Sequence, residues 1–151
     1  MKRIILLLNI IILTNCTNSE SENEPEKFPF LIQFVEIGKG NLTGSGFENI
    51  LETKTIIKNI EDWNSLVSQM NSIENVSNGF ATNEINFDTH YIIATILELK
   101  SSGWEVEITE ITENSDNLVI TTKEIDFSTL NYSQPFHIVL IPKTEKEIIF
   151  E

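Results

Sequence analysis

The sequence predicts a mainly β domain of the α+β kind, an antiparallel sheet or sandwich with one short packed helix. Three observations carry that expectation. Residues 90–98, HYIIATILE, are apolar on both faces, as in a strand central to a sheet. Residues 104–112, WEVEITEIT, alternate with period two: Trp104, Val106, Ile108 and Glu110 on one side, Glu105, Glu107, Thr109 and Ile111 on the other. Only residues 59–70 change to a helical period.

Residues 28–37, FPFLIQFVEI, are nearly all apolar after Pro29 and predict a buried strand. Residues 38–46, GKGNLTGSG, predict a flexible hairpin connection. Reading these glycines as a phosphate loop needs a helix directly behind them, and the sequence supplies none. Residues 47–58 instead end in the alternating ETKTIIK of another strand. Next, Ile60, Trp63, Val67 and Met70, with Leu66 beside them, make one face of a short helix apolar. Asn59 suits its N-cap, and Glu61 and Asp62 suit the positive end of its dipole. Trp63 reads as the anchor of this helix on a sheet rather than as a ligand platform. Residues 71–84 are polar and irregular, with Phe80 the only aromatic. From Ile85 onward the pattern is β. The tract 114–117, NSDN, is a turn, 118–123 its returning strand, and 135–142 and 147–150 two strands more.

The N-terminus carries a different signal. Lys2 and Arg3 precede an apolar run over 4–14 that is roughly a dozen residues, short of the ~20 needed to span a bilayer. That is the pattern of a signal peptide, expected over 1–15. Leu13-Thr14-Asn15-Cys16 resembles the bacterial lipobox, although Asn15 departs from the small residue usual before the cysteine. Cys16 is the only cysteine, so no intramolecular disulfide is possible, and lipidation is its expected role. Residues 17–27, TNSESENEPEK, offer nothing apolar to bury and predict disorder. Eleven such residues at ~3.3 Å each reach at most about 36 Å. An acidic tract behind the cysteine resembles the surface-export tethers of Bacteroidetes lipoproteins. The resemblance implies a lipid-anchored protein of the outer membrane, at the cell surface. The expected organisation is therefore a signal peptide (1–15), a lipidated cysteine with its tether (16–27) and one domain (28–151).

The formal charge is −13, and losing Lys2 and Arg3 with the signal peptide would leave eight basic residues against 23 acidic, or −15. Such a polyanion is a poor partner for nucleic acid or anionic headgroups. Basic proteins, cationic peptides and divalent ions remain open. His90 and His137 both sit in apolar strand contexts, which favour a structural core or edge role. Asp88-x-His90 has a metal-compatible spacing, but no cysteine joins it. There is no G-x-S-x-G elbow, H-E-x-x-H helix, EF-hand loop or dinucleotide fingerprint. A glycosidase carboxylate pair such as Glu105 and Glu107 carries little information among so many acids, and the domain leaves little room for a cleft. No catalytic residue, metal or cofactor is assigned.

If 90–98, 104–112 and 117–124 are consecutive antiparallel strands, the turn 99–103 and the loop 125–134 share one end of the sheet. Ser102, Gly103, Trp104, Phe127 and Tyr132 are accordingly the candidate partner-binding residues, with Leu130 between them. Either these aromatics form an exposed interaction rim, or they fold inward and cap the core.

A longer pattern joins these elements. Glu61-Asp62-Trp63, Asn86-Phe87-Asp88, the apolar strand 91–97 and Ser102-Gly103-Trp104-Glu105-Val106-Glu107-Ile108 occur in order. They are followed by Gln134-Pro135-Phe136-His137-Ile138-Val139-Leu140-Ile141-Pro142 and a closing Ile149-Phe150. Residues 63–150 thereby resemble the C-terminal domain of PrcB-like protease complex subunits. Ser101 and Ser102 depart from that family's glycine-rich turn. The resemblance implies a non-catalytic accessory subunit of an extracellular protease. The small-residue turn before an aromatic also resembles loops of β-sandwich protease inhibitors. A small-ligand or glycan-binding lipoprotein, and a hydrolase, are the other readings.

Overall fold

The computed structural model describes residues 27–43, 45–82 and 84–151. The signal-peptide, Cys16 and tether expectations lie outside the described residues, apart from Lys27. Eight strands and one helix follow in order. They are β1 (Phe30–Leu31), β2 (Val35–Leu42), β3 (Thr53–Ile57), α1 (Ile60–Met70), β4 (His90–Ile96), β5 (Trp104–Glu113), β6 (Asn117–Asp126), β7 (Gln134–Pro142) and β8 (Glu147–Phe150). A 3-10 turn at Val76–Gly79 lies between α1 and β4. None of the described helices is long and apolar enough to cross a membrane.

The strands form two four-stranded sheets, ordered β1-β5-β6-β8 and β2-β7-β4-β3. Helix α1 covers the outer face of the second sheet, so the domain has three layers and two cores. Trp63 and Met70 of α1 pack with Ile92, Ala94, Ile96, Phe136 and Ile138. Between the sheets, Tyr91, Ile93, Val139 and Ile141 meet Ile108, Ile111, Leu118 and Ile120. Strands β4 and β7 therefore bury both faces, which is why HYIIATI is apolar throughout. Asn59 caps α1 by accepting the Asp62 N–H at 2.8 Å. Trp63 is 2% exposed and stacks on Phe80 at 5.9 Å, the helix anchor the sequence predicts.

The structure corrects several expectations. Residues 28–37 are not one buried strand: β1 edges the first sheet and β2 the second. Ile32 and Phe34 dip into the inter-sheet core while Phe30, Leu31 and Val35 stay exposed. The apolar run marks a chain riding across both sheet edges, not a strand inside one. Most of the expected glycine hairpin is likewise strand. β2 continues to Leu42 through a bulge between Glu36 and Gly38, and a Cβ on Gly38 would lie 2.5 Å from the Phe80 ring. The next strand begins only at Thr53. In β5 a bulge between Ile108 and Glu110 reverses the alternation, so Ile111 enters the core and Glu110 faces water. The last strand, β8, pairs parallel to β6. Finally, β4 and β5 are not neighbours in one sheet. The chain changes sheets between them.

Candidate functional site

Register fixes which loops share an end. Leu42 pairs with Gln134, Thr53 with Ile96, and Trp104 with Asp126. The loops 45–52, 97–103 and 127–133 therefore emerge together. The expected meeting of 100–104 with 125–134 holds, although across two sheets rather than along one.

Hydrogen bonds fasten the two later loops. Lys100 and Ser133 exchange backbone bonds of 2.8 and 3.1 Å. The Ser102 hydroxyl donates to Asp126 Oδ1 at 2.8 Å, the Gly103 N–H to Thr129 Oγ1 at 2.9 Å, and the Phe127 N–H to the Gly103 carbonyl at 2.9 Å. Ser133 is buried between the strands. Its hydroxyl accepts the Trp104 N–H at 2.8 Å and donates to the Ser102 carbonyl at 2.7 Å. Ser102 and Gly103 thus hold the rim in shape rather than face outward. A Cβ on Gly103 would run into the Thr129 hydroxyl. Trp104 is half-buried, with Lys100 Nζ 5.1 Å from its ring centroid. The Glu98 carboxylate, outweighing the cost of burial, holds the Lys100 pKa above that of an ordinary lysine.

Above this frame the apolar side chains point to solvent: Phe127 is 56% exposed, Tyr132 68% and Leu130 fully. Inward capping of the core is not what these residues do. Phe47, Leu51 and Leu99 add to the same end. Six of the eleven exposed large apolar side chains among the described residues thus stand on three adjoining loops.

Beside the rim, between β2 and β5, runs a groove of about 490 Å³ lined by Glu36, Lys39, Asn41, Trp104, Glu105 and Phe127. Lys39 bridges it, paired with Glu105 and, at 3.4 Å, with Glu107. Burial opposes the charge on Lys39, but these two carboxylates overcome it and hold its pKa above the ordinary value. Under the groove lies His137, 2% exposed. Its Nδ1 accepts the Ile108 N–H at 2.7 Å, and its Nε2 lies 3.2 Å from Glu36 Oε2. Burial pushes the His137 pKa down. Glu36 opposes that shift and Lys39 adds to it. His90 meets Thr89 Oγ1 at 2.8 Å. Among the described residues no three His, Cys, Asp or Glu side chains gather to hold a metal ion.

The chain enters at the other end of the domain. Phe30 pairs with Glu113, at the far end of β5 from Trp104. Nine residue steps of ~3.4 Å along β5 separate the two, roughly 30 Å.

Sequence reasoning missed Phe47, Leu51, Leu99 and the groove residues Glu36 and Lys39. Phe47 and Leu51 lie ahead of the alternating tract 52–58, and Lys39 falls in the expected hairpin connection. A leucine next to the charged pair Glu98 and Lys100 was the one available signal for Leu99. No family model, curated protein or solved structure matches the chain.

Proposed function

We propose that the chain is an exported, lipid-anchored protein whose folded domain is a non-catalytic binding module, and that its apolar rim engages another protein. The observation that carries this reading is the gathering of Phe127, Leu130, Tyr132, Leu99, Leu51 and Phe47 on the loops at one end of the domain. Aromatic side chains on a braced frame bury large areas with little loss of freedom, as protein-binding surfaces require. Entry of the chain at the opposite end favours a partner that approaches from outside the membrane. The resemblance to PrcB-like subunits gives that partner a class, a secreted or surface protease that the domain accompanies.

The groove supports a second reading, a small-ligand or glycan site, because Trp104, Asn41 and Glu105 line it together. Affinity capture from the source cell's envelope and medium tests both, using the full-length chain carrying Cys16→Ala as bait. A protein retained by the bait and lost with Leu130→Ser plus Tyr132→Ser supports the rim. A protein retained equally by that variant, or none at all, overturns it. Saturable stabilisation by a sugar, lost in Trp104→Ala, would establish the groove instead.

A further inference from the structure

Between the loop 45–52 and the start of β7 lies a second pocket, of about 320 Å³. Its walls include Ile50, Leu51 and Leu99, and its polar groups include Glu52, Glu98 and Gln134. Gln134 is 2% exposed. Its Nε2 donates to the carbonyls of Ile50 and Leu97 at 2.7 and 3.2 Å. Two carbonyl partners fix which way the amide is turned, because the reversed group would set oxygen against oxygen. The buried Oε1 then has no hydrogen-bond donor among the described residues. A buried acceptor without a donor is uncommon in a folded protein, and this one leaves the amide beside the pocket one hydrogen bond short.

The rest of the pocket says what kind of donor. Glu52 makes no salt bridge among the described residues, and the one ammonium near it, that of Lys100, is shared with Glu98 Oε1 at 3.1 Å and Glu124 Oε2 at 3.8 Å, which leaves negative charge in excess. An anionic or purely acceptor group would face two carboxylates. A bare divalent ion would need about six oxygen ligands, and no set of three acidic side chains gathers here. A long side chain with an apolar stem and a cationic head fits both halves of the lining. The stem would lie along Leu51 and Leu99, and the head would donate to the Glu52 and Glu98 carboxylates beside the Gln134 amide.

We infer that this pocket receives a lysine or arginine side chain of the protein that the rim engages, and so selects a partner presenting a basic residue beside an apolar patch. The inference rests on the rim reading for its partner, but the pocket is testable alone. Isotope-labelled full-length protein carrying Cys16→Ala is titrated with the peptide acetyl-Gly-Gly-Arg-Gly-Gly-amide, its lysine counterpart and its norleucine counterpart. The arginine and lysine peptides shift the Gln134 side-chain amide and the Leu51 and Leu99 methyl resonances, and the norleucine peptide does not. Glu52→Gln and Glu98→Gln, both at exposed positions, each weaken the arginine peptide by about two- to fivefold. Equal shifts from the norleucine peptide, no shifts from any peptide, or unchanged affinity in both glutamine variants would overturn the inference. A captured partner that depends on Leu130 and Tyr132 but ignores Glu52→Gln and Glu98→Gln removes the pocket and leaves the rim standing.

Discussion

His137 on β7 accepts the amide proton of Ile108 on β5 at 2.7 Å, a hydrogen bond that passes from one sheet to the other. Since Nδ1 is the acceptor, the neutral ring carries its proton on Nε2 and donates it towards Glu36. Ile108 sits at the β5 bulge, so this bond satisfies a backbone donor where the sheet is irregular.

Protonating His137 would set one N–H against another. Burial already holds its pKa below the ordinary 6.5. As pH falls, the unfolded chain takes up this proton before the folded one, and stability drops. The contribution is complete above about pH 6.5 and is lost from there down to the lower folded value. Urea unfolding between about pH 7.5 and pH 5.5 reads this as a falling midpoint. His137→Leu leaves the Ile108 N–H unsatisfied, costs about 1–3 kcal/mol at neutral pH, and removes that part of the slope.

Gly38→Ala would press a methyl group into the Phe80 ring and costs about 1–3 kcal/mol. The cost is smaller in a Phe80→Ala background, where the ring is gone. A double-mutant cycle in urea checks this, and equal costs in the two backgrounds would contradict the close packing.

Trp63→Ala removes the helix anchor from beneath Phe80 and is expected to cost about 3–5 kcal/mol. Asn59→Ala removes the cap of the same helix and costs about 0.5–2 kcal/mol. Thermal unfolding ranks the two.

Gly103→Ala displaces Thr129 and breaks the bond from the Gly103 N–H. It disorders the rim while sparing both cores. Amide exchange should quicken over 127–133 and stay slow in β4 and β7. Quickened exchange in β4 would show that the rim is not a separate unit.

Elements whose pattern reports one environment were legible in the sequence. The helix showed its cap and stripe, and β4 showed burial on both faces. Patterns that mix environments misled. The run 28–37 is apolar because it brushes two sheet edges, and β5 changes face at a bulge that adds one residue without a compositional mark. The rim was legible as a meeting of loops, because the chain must turn at 99–103 and 125–134 under either pairing. Its sheet change was not legible, since Leu97 and Glu98 give no sign of where pairing ends. Phe47 and Leu51 were not legible because the tract 47–51, FENIL, has no periodicity that tells a strand from an exposed loop.

Contact between the rim and another protein is most directly read by a photo-crosslinker in the intact cell. Benzoylphenylalanine is placed in the full-length chain at Leu130 and at Tyr132, with Ile73, 55% exposed and outside the rim, as the control. A discrete protein adduct is expected from Leu130 and Tyr132 and none from Ile73. No adduct at the rim, or the same adduct from all three positions, would contradict it.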